Sequence, residues 1–346
     1  MDRHLAALLA AAVAVGASAI LSAGAQAQPM TAVTQLGWLR IGEYGPIIVA
    51  DAKGFFADEG ITHKTVDGGP GKNPIPIVAV GQAQFGLATQ GMQIIAARAA
   101  RDPVDVVAIG TLFQQAPSSY LSIVDPGAPQ SKPKDMEGKT VGIQAETEFV
   151  YKAFARKNGI DLSKVKVAFV KATAEPLMVG QIDYFSGWMV NQTYQIEQEA
   201  AKPDAPPAIK GKEWRALRLA EWGIPTYTDV IFTSGDTLKN NPELVRRYLK
   251  AVARGMQYIL DHPDETVDLV AKAPGQIEDA KKLAWRWKLQ NPLFVSDDTR
   301  KNGLLWMNPA TWEQMESFLK EGEQIPRLLP VAEVMTNDYL PKPGAR

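Results

Sequence analysis

The side chains best suited to chemistry in this sequence are rings and neutral amides placed just after apolar runs: Trp38, Tyr44, Phe113, Gln114, Trp188, Asn191 and Tyr227. An indole or phenol offers a flat apolar face with an N–H or O–H donor, and an amide offers both a donor and an acceptor. Such a set suits a planar molecule held by stacking and a few hydrogen bonds, although each ring could instead fill a core. Arg40 and Lys72 are the cations of these loops, and the carboxylates Glu146 and Glu148 oppose them. Those two glutamates also open a predicted helix, where they would offset its macrodipole. A strongly anionic ligand prefers cations and N–H nests without facing carboxylates, so a neutral or amine-bearing heterocycle fits better.

Catalysis is harder to assemble. Cysteine is absent, and beyond His4 only His63 and His262 remain, neither on a loop that follows a strand. There is no HExxH, GxSxG or dinucleotide fingerprint, and Lys72-Asn73 lacks the Lys-Ser/Thr ending of a phosphate loop. No catalytic residue, cofactor or metal site is expected.

The elements that must position these residues are read from periodicity. Val33, Gln35, Leu36 and Trp38 end a strand, and Tyr44, Ile47, Ile48, Ala52, Phe55 and Phe56 mark one face of a following helix, with Gly60 as its C-cap glycine. In open α/β sheets ligands bind at the carboxyl ends of strands, which is where Trp38 to Tyr44 fall. Ile61 to Val66 predicts a strand that runs into Gly68-Gly69-Pro70-Gly71, whose glycines permit close approach to main chain, and then Asn73. Gln84 to Ala88 predicts a buried strand, with Thr89 as N-cap of a helix from Met92 and Gln90 beside it. Val104 to Thr111 is another strand, and the chain leaves it through Phe113 and Gln114.

A second βαβ series follows. Thr140 to Ile143 is a strand ending at Gln144, with Glu148 in the next helix; Val165 to Val170 leads to Thr173; Ile182 to Ser186 leads to Trp188 and Asn191. Gly223 to Thr228, containing Tyr227, is a return crossing, and Asp229 to Thr233 rejoins the first series. The remainder is helical. A long helix opens with Asn241-Pro242 and carries an apolar stripe of Leu244, Val245, Tyr248, Leu249, Val252, Met256, Ile259 and Leu260.

With 346 residues, 46% hydrophobic and 22% charged, the chain can build two domains with cores. A formal net charge of -1 with no Lys/Arg cluster argues against nucleic acid as partner. Residues 1–27 combine a basic start, an apolar run from Leu5 to Leu21 and Ala25-Gln26-Ala27, which predicts a cleaved secretory signal. Without cysteine no lipid anchor follows it, and a periplasmic address is expected.

Several motifs carry a resemblance: Trp38, Ala50 through Phe56 (ADAKGFF), Glu59-Gly60-Ile61, Gly68 through Gly71, Gly81 through Gly86 (GQAQFG) and Asp135 through Gly142 (DMEGKTVG). In this order they resemble the substrate-binding proteins of ABC importers, in the branch for nitrate, sulfonates, taurine and thiamine-pyrimidine precursors. The resemblance implies an α/β two-lobed periplasmic binding protein fold of type II, with the ligand in a cleft between lobes at 28–114 with 229–346 and at 115–228. It implies capture of a small molecule by hinge closure, delivery to a permease and its ATPase, and a monomer. Trp38 and Trp188 would then face each other and clamp a planar ligand, with Asn191 at the ring edge and Tyr44 at the side. Candidate contacts also include Gly69, Asn73, Thr89, Gln90, Phe113, Gln114, Gln144, Glu148, Thr173 and Tyr227. A pyrimidine precursor, a flavin, another aromatic or a sulfonate, taurine or nitrate-type anion all remain open as ligand. A pyrimidine synthase-like enzyme, using a pyridoxal-bearing lysine and a histidine, and a periplasmic sensor subunit are the alternatives.

Overall fold

A computed structural model describes residues 30–343 of the chain, so the predicted signal at residues 1–27 lies outside the described residues. Among the described residues, ten strands form two five-stranded sheets with the same plan. The first sheet has β1 (Met30–Gln35), β2 (Ile61–Val66), β3 (Phe85–Gln90), β4 (Val106–Phe113) and β10 (Thr228–Ser234) in the order β2-β1-β3-β10-β4. The second has β5 (Ser118–Val124), β6 (Thr140–Ile143), β7 (Lys166–Phe169), β8 (Tyr184–Trp188) and β9 (Glu213–Arg218) in the order β7-β6-β8-β5-β9.

The matching orders have one cause. Within each sheet β1, β2 and β3, or β6, β7 and β8, are parallel neighbours, as strands joined by helical crossovers must be. The strand that arrives from the other sheet, β10 or β5, runs antiparallel to its neighbours. The chain therefore crosses between sheets twice, after Phe113 and again between Arg218 and Thr228. This is the two-lobed α/β architecture.

The helix Pro242–Asp261 holds the first lobe together. Its Leu244, Val245, Tyr248, Leu249, Val252, Met256 and Ile259 are buried, each contributing about 1.5–3 kcal/mol on burial. Gly255 lets this helix lie against the helix Gly45–Ala52, because an added Cβ would sit 2.0 Å from the Pro46 carbonyl oxygen. His63 is structural: its ring stacks on Phe56 at 3.9 Å, with Nε2 2.8 Å from the Thr34 hydroxyl and Nδ1 2.6 Å from an Asp51 carboxylate oxygen.

Local expectations change in four places. The single helix expected from Tyr44 to Phe56 is a 3-10 turn at Gly42–Tyr44, a helix at Gly45–Ala52 and a separate turn at Phe55–Asp58, broken where Gly54 takes φ +74°. Thr89 is no N-cap. Pairing of Gln90 with Thr228 and of Ala88 with Val230 carries β3 two residues further, and Gly91 precedes the helix Met92–Ala99 instead. Pairing with β10 likewise extends β4 to Phe113. The helical remainder also contains two short helices for which no separate bounds are predicted, Gly235–Asn240 and Asp297–Asn302, capped by Ser234 and Ser296, which accept from Thr237 N–H and Thr299 N–H.

Candidate functional site

Between the sheets lies a cavity of about 70 Å³. The carboxyl ends of β3, β6 and β8 converge on it, bringing Gln90, Gln144 and Ser186 to Trp188. The crossing strands close it, Ser118 and Tyr120 from β5 and Ile224 and Thr226 from the return. Its polar groups are hydroxyls and amides, and no acidic or basic side chain is among its lining residues. The Gln144 amide donates to the Ser186 carbonyl at 3.1 Å, which turns its carboxamide plane beside the β8 end. The Ser118 hydroxyl is buried and has no hydrogen-bond partner among the described residues. Trp188 is held from both sides. Its backbone N–H donates to the Gln192 side-chain oxygen at 2.8 Å, and its ring stands edge-on to Phe113 with centroids 6.3 Å apart. Burial lifts the Tyr120 hydroxyl well above its ordinary pKa and pushes that of neighbouring Tyr151 up to about 12, so both phenols remain neutral donors.

A second polar group meets the Trp188 loop at Asn191. Arg286 is fully buried, and its Nε and Nη2 donate to the two carboxylate oxygens of Glu278 at 3.0 and 2.5 Å. Glu278 also accepts from Gly42 N–H at 2.8 Å and from Lys282 at 2.8 Å. Arg286 Nη2 and Lys282 Nζ each reach the Asn191 side-chain oxygen at 3.4 Å. Burial pushes the Glu278 carboxyl up, but Arg286 and Lys282 outweigh it and hold the group below the usual range. Burial lifts Glu43 to about 7 against the pull of Arg286, and burial with the charge of Glu43 lifts Asp229 well above the usual carboxylate range. Asp229 takes φ +48°, a left-handed backbone costly for a residue with a Cβ, and neither carboxylate oxygen has a partner among the described residues.

Of the residues singled out from the sequence, Gln90, Gln144 and Trp188 line the cavity. The others are placed elsewhere. Trp38 packs half-buried on the first-lobe core and is not among the lining residues, so the two tryptophans do not form the walls of this cavity. Tyr44 and Phe113 are fully buried in that same core. Gly69 is buried at φ +147°, while neighbouring Gly68 lets two loops touch, since an added Cβ would lie 2.4 Å from the Leu36 carbonyl oxygen.

Asn73 and Thr173 are exposed and occupied locally, Asn73 as an N-cap accepting from Ile75 N–H and Thr173 accepting from Glu175 N–H. Gln114 is tied at both ends within the first lobe, to the Trp306 carbonyl and the Ser296 hydroxyl. Thr89 faces Gln93, Glu148 pairs with Lys152 at 2.7 Å, and Asn191 serves the Arg286 group. Tyr227 is buried, and its hydroxyl accepts from Asn308 N–H at 2.8 Å. Extended chain alternates its faces. Thr226 therefore turns to the cavity where Tyr227, the larger ring, was expected. Ser186 sits inside the strand predicted over Ile182 to Ser186 rather than on the loop after it, and Ser118 and Tyr120 belong to the crossing strand β5, for which the loop-after-strand rule gives no signal.

A family model described as NMT1/THI5 like matches residues 42–266. Riboflavin-binding protein RibY of Chloroflexus aurantiacus is 25% identical over 310 residues, covering 86% of this chain and 83% of that protein. A 4-amino-5-hydroxymethyl-2-methylpyrimidine phosphate synthase of Legionella pneumophila is 24% identical over 312 residues, covering 88% and 91%. Among solved structures, the periplasmic aliphatic sulphonate binding protein SsuA of Escherichia coli superposes with a TM-score of 0.65 at 13% identity, covering 88% of this chain and 91% of that one. That last likeness concerns the fold.

Proposed function

The chain belongs to the NMT1/THI5-like family, and on that premise we propose that it is an extracytoplasmic solute-binding protein for a small, neutral, planar heteroaromatic compound of the pyrimidine or flavin class. The observation that carries this reading is the lining of the inter-lobe cavity, where amides, hydroxyls and the Trp188 ring converge without a charged side chain. A heteroaromatic ring presents a face to stack and ring atoms that donate and accept, which is what these groups complement. A sulfonate would meet no cation there. Lysine, histidine and carboxylate are likewise missing from the lining, and this supports capture over the synthase chemistry named for the Legionella relative.

Ligand sites commonly occupy about 300–1,000 Å³, so a cavity of about 70 Å³ must widen to admit its guest. Opening and closing of the lobes about the two crossings supplies that motion, and preference of the ligand for the closed arrangement drives it. A permease and ATPase of an importer are the partners that such a closed form would meet. The signal-like residues 1–27 support a periplasmic address, and no helix among the described residues is long and apolar enough to cross a membrane.

A thermal-shift screen of riboflavin, aminopyrimidines and alkanesulfonates tests this reading. A compound at 100 times its dissociation constant adds about 2.7 kcal/mol to stability, and the heteroaromatics are expected to supply that gain. Trp188→Ala should weaken the compound that binds by about tenfold or more, roughly 1.4 kcal/mol, with a smaller loss for Trp38→Ala, as calorimetry would read. Stabilisation by sulfonates alone, or wild-type affinity in Trp188→Ala, would sink the proposal.

A further inference from the structure

The helix Gln192–Ala200 springs from the Trp188 loop and carries contacts with the first lobe that lie away from the cavity lining. Its Glu197 is half-buried. One carboxylate oxygen accepts the indole N–H of Trp214, in β9 of the second sheet, at 2.8 Å. The other accepts the indole N–H of Trp285 at 2.8 Å, and Trp285 stands on the helix Ala280–Gln290. That helix packs into the first-lobe core through Leu283 and Trp287, whereas Ile196 of the Glu197 helix belongs to a core cluster of the second sheet. A single carboxylate thus ties one indole from each lobe. The Tyr194 ring lies 5.1 Å from that of Trp285, and Lys281 donates to Gln198 at 2.7 Å beside it. The same helix begins with Gln192, whose side chain fixes Trp188 at the cavity.

We infer that Glu197 is a positioning residue for ligand capture, a latch that holds the lobes closed through Trp285 and acts on the ligand through Trp188. This rests on the binding-protein reading above. When the lobes part, the bond to Trp214 travels with its own lobe and survives, while the bond to Trp285 must break. Only an interaction that differs between the two arrangements can shift the balance between them. The Trp285 contact qualifies and the Trp214 contact does not. A hydrogen bond to an ionised carboxylate is among the stronger kinds, and here it joins groups that are part-buried on both sides. Its loss should therefore appear in the rate of release, since closed-state contacts act after encounter.

The test uses the full mature protein with riboflavin as probe, together with measurements that need no ligand. Glu197→Gln replaces one of the two acceptor oxygens, each of which serves one indole, by an NH2 donor, and Trp285→Phe keeps the ring beside Tyr194 but has no N–H to donate. Each is expected to speed riboflavin release by about tenfold with association changed by less than about twofold. The double variant should be little worse than either single one, as one shared bond requires. Without ligand, both should raise the radius of gyration in small-angle scattering and speed amide exchange in the 280–290 helix. Trp214→Phe should change each readout by less than Trp285→Phe does. Wild-type scattering and exchange in Glu197→Gln and Trp285→Phe would overturn the latch, as would an equal effect from Trp214→Phe. If riboflavin does not bind at all, the ligand reading fails while the ligand-free measurements still decide the latch.

Discussion

Arg286→Ala is expected to lower the unfolding free energy by about 3–5 kcal/mol. The guanidinium is fully buried and holds the nearly buried Glu278 carboxylate through two bonds, 3.0 and 2.5 Å long. Removing it leaves Glu278 with the Gly42 N–H and the partly exposed Lys282. It also strips the nearest opposing charge from Glu43 and Asp229, both of which feel Arg286. A cavity forms beside Leu283 and Trp287 in the same core. Denaturant unfolding should show a lower midpoint with an unchanged slope. The paired change Glu278→Gln with Arg286→Met removes both charges and keeps most of the volume, so it should cost less than Arg286→Ala alone. If Arg286→Ala unfolds within about 1 kcal/mol of wild type, the buried pair is not the support that its geometry indicates.

Glu43→Gln should make the protein more stable at pH 8 while leaving it close to wild type at pH 5. The Glu43 carboxyl is 3% exposed and titrates at about 7 in the folded chain, against 4.5 for an ordinary glutamate, with burial as the first cause. Its folded value lies above its unfolded value, so between the two the native state binds more protons than the unfolded chain. Stability therefore falls as pH rises through that window, and the loss is complete once both states are ionised. At about 1.4 kcal/mol per pH unit, the displacement from 4.5 to about 7 corresponds to about 3 kcal/mol. A glutamine resembles the protonated acid and carries no such penalty. Asp229 moves stability in the same direction, being lifted by burial and then by Glu43. Glu43→Gln with Asp229→Asn should flatten the remaining slope. Urea unfolding at several pH values between 4 and 8 reads the difference. A variant curve parallel to wild type would show that Glu43 is ionised throughout and compensated in a way this geometry does not provide.

Both effects come from residues that the sequence offers no reason to connect. Glu43 lies on a turn, Asp229 on a strand, and Glu278 and Arg286 on a loop and the helix after it, so three segments far apart in the chain meet here. Charged residues read singly from sequence are solvated by default, since most are exposed. Their burial is decided by where the helix Ala280–Gln290 lies against the turn that follows β1, a packing fact with no local signature. The Glu197 latch is of the same kind, because the indoles that it joins belong to different lobes.

What the sequence determined by itself was whatever one element's period or one turn's chemistry dictates. The strand predicted over Ile61 to Val66 is β2 to the residue, and the stripe on the long helix is the buried face of Pro242–Asp261 except for the half-buried Leu260. The motifs from Ala50 to Gly142 pointed to the family and so to the two-lobed fold. Trp188, Gln144 and Gln90 are legible as a group because they stand at or just after strand ends, and the structure brings these three to one cavity. Tertiary structure decided the phase and reach of what lay between. Ladder partners drew Thr89 and Phe113 into strands. The alternating faces of the return crossing gave Thr226 rather than Tyr227 to the cavity, and Trp38 went to the first-lobe core. A side chain's destination depends on which neighbour covers it, and that neighbour is set by contacts between segments distant in sequence.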